Sequence, residues 1–242
     1  MKGVNNMLLF GEMYARKLIL TWARDKPEGW TLASGAWSPF YFMFRHVPFH
    51  PDLFDYSVTS LTGLVSSIRQ ERRVDAIVGV ATTGIPLAAG VALRLGVPLA
   101  FTRKLAGVSS VSDLTTGTSL WGQHSLLEGA FQSGMHYLLI DDVVTGGASK
   151  LLARQQVEAH AKKNNLELVF EGTAVVVDRG FPGLSNSVHQ VSSANILYDQ
   201  ADEILRYGGT EKEVKVIKKY LQAPDLFQDS QTRASVIMSA ME

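Results

Sequence analysis

The chain of 242 residues contains no cysteine, has no net charge and has no long apolar run. Without cysteine it cannot form disulfides, a catalytic thiolate or a cysteine-ligated zinc site, and this composition suits the cytoplasm, where we expect the protein to reside. Because 23 basic residues balance 23 acidic ones, no overall field attracts nucleic acid or a membrane surface. No apolar stretch reaches the roughly 18–20 residues that cross a bilayer, and Gly11 and Glu12 interrupt the apolar N-terminal stretch. We therefore predict neither a membrane span nor a secretory signal.

One long segment, residues 105–135, contains no lysine or arginine. Its charged residues are Asp113 and Glu128, and serine, threonine and glycine are frequent in it. Few such side chains can anchor a loop to a core, so we expect this segment to be mobile when no ligand is bound.

Apolar residues along the chain alternate between helical spacing and the short continuous runs of buried strands. The predicted elements are a helix within 4–24, an aromatic-rich loop or hairpin lobe at 29–44, a helix at about 52–70, a strand at 74–80, a helix at 84–95, strands at 97–102 and 137–140, a helix to about 164, strands at 168–177 and 188–192, and helices near 198–206 and 210–221. This alternation predicts an α/β fold, an open, mostly parallel twisted sheet with helices on both faces. We expect one domain over residues 1–222 with an N-terminal lobe of about residues 1–50, and a tail at 223–242 that either docks as a helix or is partly disordered.

The most informative stretch is residues 136–150, where a short apolar run, Tyr137 to Ile140, precedes Asp141 and Asp142. A glycine-containing turn, residues 145–149, then opens a helix. Ligands of open α/β sheets bind at such strand-to-helix turns, and glycines with free N–H groups at a helix start favour a phosphate. Carboxylates suit hydroxyls or a metal ion, so the combination predicts a phosphorylated sugar site. An ordinary turn with solvated acids is the alternative, but paired acids that end a buried strand require a reason.

A second turn repeats this pattern at residues 80–89, where a strand ends, small residues follow and a helix begins. Pro86 is well placed in the first turn of that helix. Thr82, Thr83 and Gly84 could form a second anion-binding turn. Taken alone, the pattern also fits an ordinary helix start.

Together these patterns resemble type I phosphoribosyltransferases, and most closely orotate phosphoribosyltransferases. The acid pair with its glycine turn is similar to the family's ribose-phosphate motif. The 82–84 turn is followed by a strand and by Arg103 and Lys104, as in the family's pyrophosphate loop and the start of its mobile loop. Two segments resemble those that bind the base, Thr-Leu-Ala-Ser-Gly-Ala-Trp-Ser-Pro-Phe-Tyr at 31–41 and Val-Val-Asp-Arg-Gly at 176–180. The resemblance spans roughly residues 30–205 and implies this family's fold.

The activity that the resemblance implies is transfer of ribose 5-phosphate from phosphoribosyl pyrophosphate to a pyrimidine base, orotate, with Mg²⁺ as cofactor and pyrophosphate as the second product. Asp141 and Asp142 would act in catalysis by holding ribose hydroxyls, and would contact the metal directly or indirectly. Further implied contacts are Thr145, Gly146, Gly147, Ala148 and Ser149 to the 5-phosphate, and Thr82, Thr83 and Gly84 to the pyrophosphate. Arg103 and Lys104 would act in catalysis by closing over the donor from a neighbouring subunit, which implies a homodimer.

Three residues are implied in binding the base. Phe40 and Tyr41 would line the pocket for the pyrimidine ring, although both could instead belong to the core of the lobe. Arg179 would pair with the carboxylate of the base, a role that suits its planar, two-pronged guanidinium. A structural ion pair with a neighbour such as Asp178 is the alternative for Arg179.

The chain departs from the family at positions that usually carry cations. Ala33, Ala36, Thr83, Gly107 and Ser109 stand where the family has lysine, arginine or histidine. Because a charge-assisted hydrogen bond contributes about 1.5–3 kcal/mol, losing three of them would cost roughly 5–9 kcal/mol. That cost corresponds to about 10³ to 10⁶-fold in rate or affinity. Either other cations (Arg45, Arg94 or Mg²⁺) compensate, or the donor binds weakly, or the protein serves another task, such as transfer to a different base or nucleotide sensing without turnover.

Overall fold

The computed structural model describes residues 7–32, 35–104, 126–179 and 191–241. The chain divides into two compact units. Of the described residues, the first unit contains those up to Tyr56, Arg179, and those from Asn195 onward, and the second contains the rest. In the part of the chain so described, no helix is long and apolar enough to span a bilayer.

The secondary structure follows the predicted alternation of strands and helices. In chain order the elements are α1 (Leu9–Ala15), β1 (Ile19–Thr21), β2 (Trp30–Thr31), β3 (Trp37–Ser38), β4 (Phe40–Phe42), a 3₁₀ turn (Phe44–Phe49), α2 (Pro51–Glu71), β5 (Ala76–Gly79), α3 (Gly84–Leu95), β6 (Leu99–Thr102), β7 (Leu127–Glu128), β8 (Met135–Val144), α4 (Ala148–Lys163), β9 (Leu168–Asp178), β10 (Val191–Ile196), α5 (Leu197–Gln200), a 3₁₀ turn (Ala201–Tyr207), α6 (Glu211–Gln222), a 3₁₀ turn (Pro224–Phe227) and α7 (Ser230–Met241).

Six strands form one sheet in the order β10-β9-β8-β5-β6-β7. β5 runs parallel to β6 and β8, β8 runs parallel to β9, and β7 is antiparallel to β6. Every residue of β5 is buried, as expected for a parallel strand covered on both faces. On one face Val78, Tyr137 and Leu139 pack in a core cluster with Ala153 and Val157 of α4. This sheet confirms the predicted fold class.

Strand β8 extends beyond the acid pair, whereas the sequence places the two acids after the strand. The strand continues because β9 is long enough to pair with it, Val143 facing Val177 and Val144 facing Asp178. Asp141 itself pairs with Val175. The two acids therefore lie within a regular strand, whose geometry fixes the direction of both side chains.

The predicted N-terminal helix is present only as α1, and its extension towards residue 24 is wrong. α1 ends at Ala15, and Lys17 adopts a left-handed conformation with φ of 55°, which stops the helix. Residues 19–21 then pair with residues 40–42 as antiparallel strands. Side-chain spacing alone suggested one longer helix because Leu18, Ile19 and Trp22 continue the apolar spacing, and all three are buried although they lie beyond α1.

The C-terminal residues pack within the first unit. The ring of Phe227 stacks on that of Trp37 with centroids 6.0 Å apart and an interplanar angle of 2°. Gln228 accepts a hydrogen bond from the Trp37 N–H at 2.7 Å and donates one to the Trp37 carbonyl at 3.3 Å. The side-chain amide of Gln228 thus pairs with the backbone of Trp37 as a neighbouring strand would.

Candidate functional site

The centre of the second unit's candidate site is a buried ion pair between Asp141 and Lys150. The Lys150 Nζ lies 2.7 Å from Asp141 Oδ2, and the two side chains are 5% and 7% exposed. The same nitrogen donates to the carbonyl of Val143 at 2.5 Å and to the Ser149 Oγ at 3.2 Å. Lys150 therefore links strand β8 to the first turn of α4.

Sequence reasoning missed Lys150, although a signal was present. Lys150 is spaced 3, 7 and 11 residues before Ala153, Val157 and Ala161, which form the buried face of α4. A lysine at such a position is predicted to be buried, and a buried lysine requires an acidic partner.

Asp142 continues the network on β8. Its backbone N–H donates to Asp141 Oδ1 at 2.9 Å, and its own Oδ1 accepts from the Val143 N–H at 2.7 Å. Desolvation by burial, followed by the negative charge of Asp141, raises the pKa of Asp142 above its ordinary value, while Lys150 opposes the rise. By surface area Asp142 is only half-buried, so solvent moderates this effect. The pair thus favours a ligand that offers hydrogen-bond donors or positive charge.

The turn after β8 has the features of an anion-binding turn. Gly147 adopts φ of 76° at the start of α4, a left-handed conformation that favours glycine. The first N–H groups of a helix have no acceptor within it, and no acidic residue stands in the first turn of α4. Gly146, Ala148 and Ser149 are exposed, and Thr145 is half-buried. A phosphate can therefore approach these N–H groups from solvent.

The second glycine turn lies against the acid strand. A Cβ atom on Gly84 would stand 2.4 Å from the carbonyl oxygen of Ile140 and 3.1 Å from Asp141 Oδ1, so only glycine fits. Thr82 beside it is exposed, and a cis peptide bond joins Ala81 to Thr82. Thr83 precedes α3 and makes no capping hydrogen bond with its side chain. The structure thus brings together the acid pair and two turns that the sequence assigns to phosphates.

Arg103 and Lys104 follow β6, and among the described residues Arg103 contacts both β7 and α4. Arg103 Nη1 lies 3.0 Å from Glu128 Oε1 of β7, and both side chains are partly exposed. The backbone carbonyl of Arg103 accepts a hydrogen bond from Gln156 of α4 at 2.9 Å. Lys104 is exposed. The predicted mobility of the 105–135 segment concerns mainly residues 105–125, which lie outside the described residues, as do Ala33, Gly107 and Ser109.

The first unit holds the residues that the sequence assigns to the base. Arg179 is 4% exposed, its Nη2 donates to Ser38 Oγ at 3.0 Å, and its guanidinium carbon lies 4.3 Å from the centroid of the Phe40 ring. Burial lowers the pKa of Arg179 to about 10, opposed by a hydrogen bond with Tyr220. Tyr41, the next residue after Phe40 on β4, has different neighbours.

Tyr41 and Phe40 point in different directions because side chains alternate along a strand. The Tyr41 ring stacks on Trp30 with centroids 6.4 Å apart, and its hydroxyl accepts from Arg45 Nη2 at 2.9 Å. Phe40 is 1% exposed, whereas Tyr41 is half-buried. Of the two aromatic residues, Phe40 therefore packs on Arg179 within the core of the unit, and Tyr41 is the one that solvent reaches.

The acidic side chains of the site suit a metal ion that they contact only indirectly. Over the described ranges of the chain, no group of three or more histidine, cysteine or acidic side chains could hold a metal ion. Asp141 is already paired with Lys150, so the acid pair offers a divalent ion too few ligands. A hydrated Mg²⁺ that reaches the site on a phosphorylated ligand matches this set, since Mg²⁺ retains water and binds few carboxylates.

Comparison with known proteins shows similarity to phosphoribosyltransferases. The profile of the phosphoribosyl transferase domain matches residues 56–179. The orotate phosphoribosyltransferase of Sulfolobus acidocaldarius is 33% identical over 61% of this chain and 64% of its own length, so this chain spans a little under two thirds of that relative. The orotate phosphoribosyltransferase of Phocaeicola vulgatus is 31% identical over 71% of this chain and 72% of its own length. The crystal structure of orotate phosphoribosyltransferase from Aeropyrum pernix, 26% identical, matches with a TM-score of 0.59 over 84% of this chain and 100% of that one.

Proposed function

The chain belongs to the phosphoribosyltransferase family, and from this premise we propose that it acts as an orotate phosphoribosyltransferase-like enzyme. The proposed reaction transfers ribose 5-phosphate from phosphoribosyl pyrophosphate to orotate and releases pyrophosphate. The contact of Gly84 with Asp141 carries the proposal, because it sets one glycine turn beside an acid pair that leads directly into the other. The choice of orotate is supported by the names of the relatives.

In the proposed mechanism the second unit binds the donor at three points. N–H groups of residues 145–149 hold the 5-phosphate, residues 82–84 hold the pyrophosphate, and Asp142 with Asp141 accepts hydrogen bonds from ribose hydroxyls. The bond from ribose C1 to the pyrophosphate oxygen breaks, a bond from C1 to a ring nitrogen of the base forms, and that nitrogen releases its proton to solvent. Fixed orientation and stabilisation of charge on the ribose and the leaving group provide the catalysis.

Magnesium is part of the proposal. When bound, Mg²⁺ would neutralise charge on the pyrophosphate. The acid pair would contact it through water or through the ribose hydroxyls, since Asp141 is engaged by Lys150. This assignment rests on the donor set described above.

The proposal also includes the oligomeric state and the location. Arg103 and Lys104 would cover the donor of a neighbouring subunit in a homodimer. To do so, Arg103 would give up its partly exposed ion pair with Glu128 and contact the pyrophosphate instead. The cost in free energy is small because exposed ion pairs contribute little to stability. A cytoplasmic location suits a chain without cysteine that uses phosphorylated metabolites.

For the base, we assign recognition of the carboxylate to Arg179 and contact with the ring to Tyr41, whereas Phe40 packs on Arg179 in the core. Arg179 is nearly fully buried and donates to Ser38, so binding would exchange that hydrogen bond for one with the carboxylate. A charge-assisted pair in so dry a setting is stronger than the bond to a neutral hydroxyl that it replaces.

A second candidate function, nucleotide binding without turnover, is favoured by the neutral residues Ala36 and Thr83 at family cation positions. Thr83→Lys distinguishes the two functions, because it restores a charge at the pyrophosphate turn. If the native protein is a weakened enzyme, this variant should bind phosphoribosyl pyrophosphate more tightly or turn over faster. If neither protein binds the donor while both bind nucleoside monophosphates, the sensing function replaces the enzyme.

The direct test is nucleotide formation from phosphoribosyl pyrophosphate with orotate, uracil, adenine and hypoxanthine in parallel. We expect product with orotate, and loss of product in Asp141→Asn/Asp142→Asn and in Arg179→Gln. Arg179→Gln should lose orotate turnover while it retains donor binding in calorimetry, because the residue serves the base alone. Product with a purine and none with orotate would keep the enzyme class and reject the acceptor. Unchanged activity in the double acid variant would reject the site.

A further inference from the structure

Lys150 is a buried cation in direct contact with the acid pair. A lysine ammonium has three donors, and Asp141 Oδ2, the Val143 carbonyl and Ser149 Oγ account for three contacts at 2.7, 2.5 and 3.2 Å. The lysine side chain is 5% exposed. The Lys150 ammonium is held firmly, because its departure would leave the buried Asp141 carboxylate without a compensating charge.

The ion pair changes what the acid pair can bind. Both oxygens of Asp141 are engaged, Oδ2 by Lys150 and Oδ1 by the backbone N–H of Asp142. With the lysine charge included, the three side chains carry one net negative charge at most. That is too little charge, on too few available oxygens, to extract a bare divalent ion from water.

We propose that Lys150 is a resident counter-cation and positioning residue: it occupies the place of a metal ion on Asp141, so that divalent metal enters this site only with the pyrophosphate donor. The inference rests on the proposed function for the identity of that donor. The effect of Lys150 on metal binding does not depend on turnover. By binding Val143 and Ser149 at the same time, Lys150 also holds the acid strand and the phosphate turn in one arrangement.

Mn²⁺ as a paramagnetic substitute for Mg²⁺ tests the proposal, since electron paramagnetic resonance counts bound metal without turnover. The variants are Lys150→Met, Lys150→Gln, Lys150→Arg and the double variant Asp141→Asn/Lys150→Met. The matched control is Lys163→Met, at an exposed lysine of the same helix. Lys150→Gln removes the charge and retains a donor, so it keeps the test available if the methionine variant does not fold.

The native protein, Lys150→Arg and Lys163→Met should bind Mn²⁺ only weakly, and equally, when it is added alone. Lys150→Met and Lys150→Gln should gain about tenfold or more in Mn²⁺ affinity, the effect of one uncompensated carboxylate, and the double variant should lose this gain. Binding of Mn²⁺ to the native protein as tight as to the lysine variants overturns the proposal, as does the absence of any gain in Lys150→Gln.

A second arm adds phosphoribosyl pyrophosphate. The native protein should then bind Mn²⁺, and Lys150→Arg should keep its turnover number for nucleotide formation within a few-fold while its KM for the donor rises. If the donor brings no metal to the native protein, the proposed function fails, while the result with metal alone still decides the role of Lys150. If Lys150→Met equals the native protein in KM for the donor, Lys150 does not position the phosphate turn.

Discussion

At the scale of single residues, the candidate site depends on two kinds of contact: those between neighbours in the sequence and those between a helix and a strand. The acid pair and the 145–149 turn follow one another in the chain, so their association is visible in the sequence. Lys150 acts through contacts that cross from helix to strand, and its partner can be named only once α4 is placed on the sheet. Arg179 was predicted as a base ligand, and its contacts with Ser38 and Phe40 show how it is held.

Tyr137 gives a prediction at this scale. Its ring is 1% exposed and packs between Phe131 and Phe170, and its hydroxyl has no hydrogen-bond partner among the described residues. Burial accordingly raises the pKa of Tyr137. Tyr137→Phe removes a buried, unsatisfied hydroxyl and should raise the free energy of unfolding by about 1 kcal/mol.

Urea unfolding measures this gain, with Tyr14→Phe as the matched control. The Tyr14 hydroxyl donates to Glu213 at 3.1 Å, so its removal should lower the free energy of unfolding. Equal losses in the two variants would show that the Tyr137 hydroxyl has a partner in solution.

At the scale of elements, strands and helices with a continuous local pattern were predicted closely, and elements defined by distant pairing were not. α3 begins and ends at the predicted residues because a turn precedes it and Gly96, with φ of 63°, follows it. β1 was predicted as helix because its partner β4 is about twenty residues away and contributes nothing to local spacing. The extension of β8 past the acids likewise depends on the length of β9.

Helix α6 begins with a capping pattern, and the acid of that pattern also makes contacts with residues far away in the sequence. Thr210 and Glu213 form a capping box, a pattern visible in the sequence. The buried Glu213 carboxylate also accepts from Thr21 Oγ1 at 2.6 Å and from Tyr14. Glu213→Ala should therefore lower the free energy of unfolding by about 3 kcal/mol, since it removes the cap and leaves two buried hydroxyls without their acceptor.

Chemical denaturation of Glu213→Ala beside Glu211→Ala measures this effect. Glu211 is the first residue of the same helix and is exposed, so its replacement should change stability by less than about 0.5 kcal/mol. Similar values for the two variants would mean that neither the capping box nor the contacts with Tyr14 and Thr21 make Glu213 more important than an exposed acid of the same helix.

At the scale of the whole molecule, one compact unit is built from both ends of the chain. The sequence does not predict this, because Phe227 and Trp37 are 190 residues apart and each lies in a segment with weak periodicity. The packing bears on the proposed base site within that unit. Trp37 precedes Ser38, and Ser38 accepts a hydrogen bond from Arg179, so the C-terminal segment supports residues assigned to the base.

Phe227→Ala tests this connection. Phe227 is fully buried, with its ring 6.0 Å from Trp37 and 5.3 Å from Tyr220, so its truncation should lower the free energy of unfolding by about 3–5 kcal/mol. Leu226→Ala, at a neighbour that is 47% exposed, is the control and should change little. Because Tyr220 borders Arg179, and Trp37 directly precedes Ser38, which accepts a hydrogen bond from Arg179, we expect the KM for orotate to rise in Phe227→Ala while the KM for phosphoribosyl pyrophosphate stays the same. An equal rise in the KM of both substrates would indicate general loss of structure. An unchanged KM for orotate would show that the C-terminal segment has no role in base recognition.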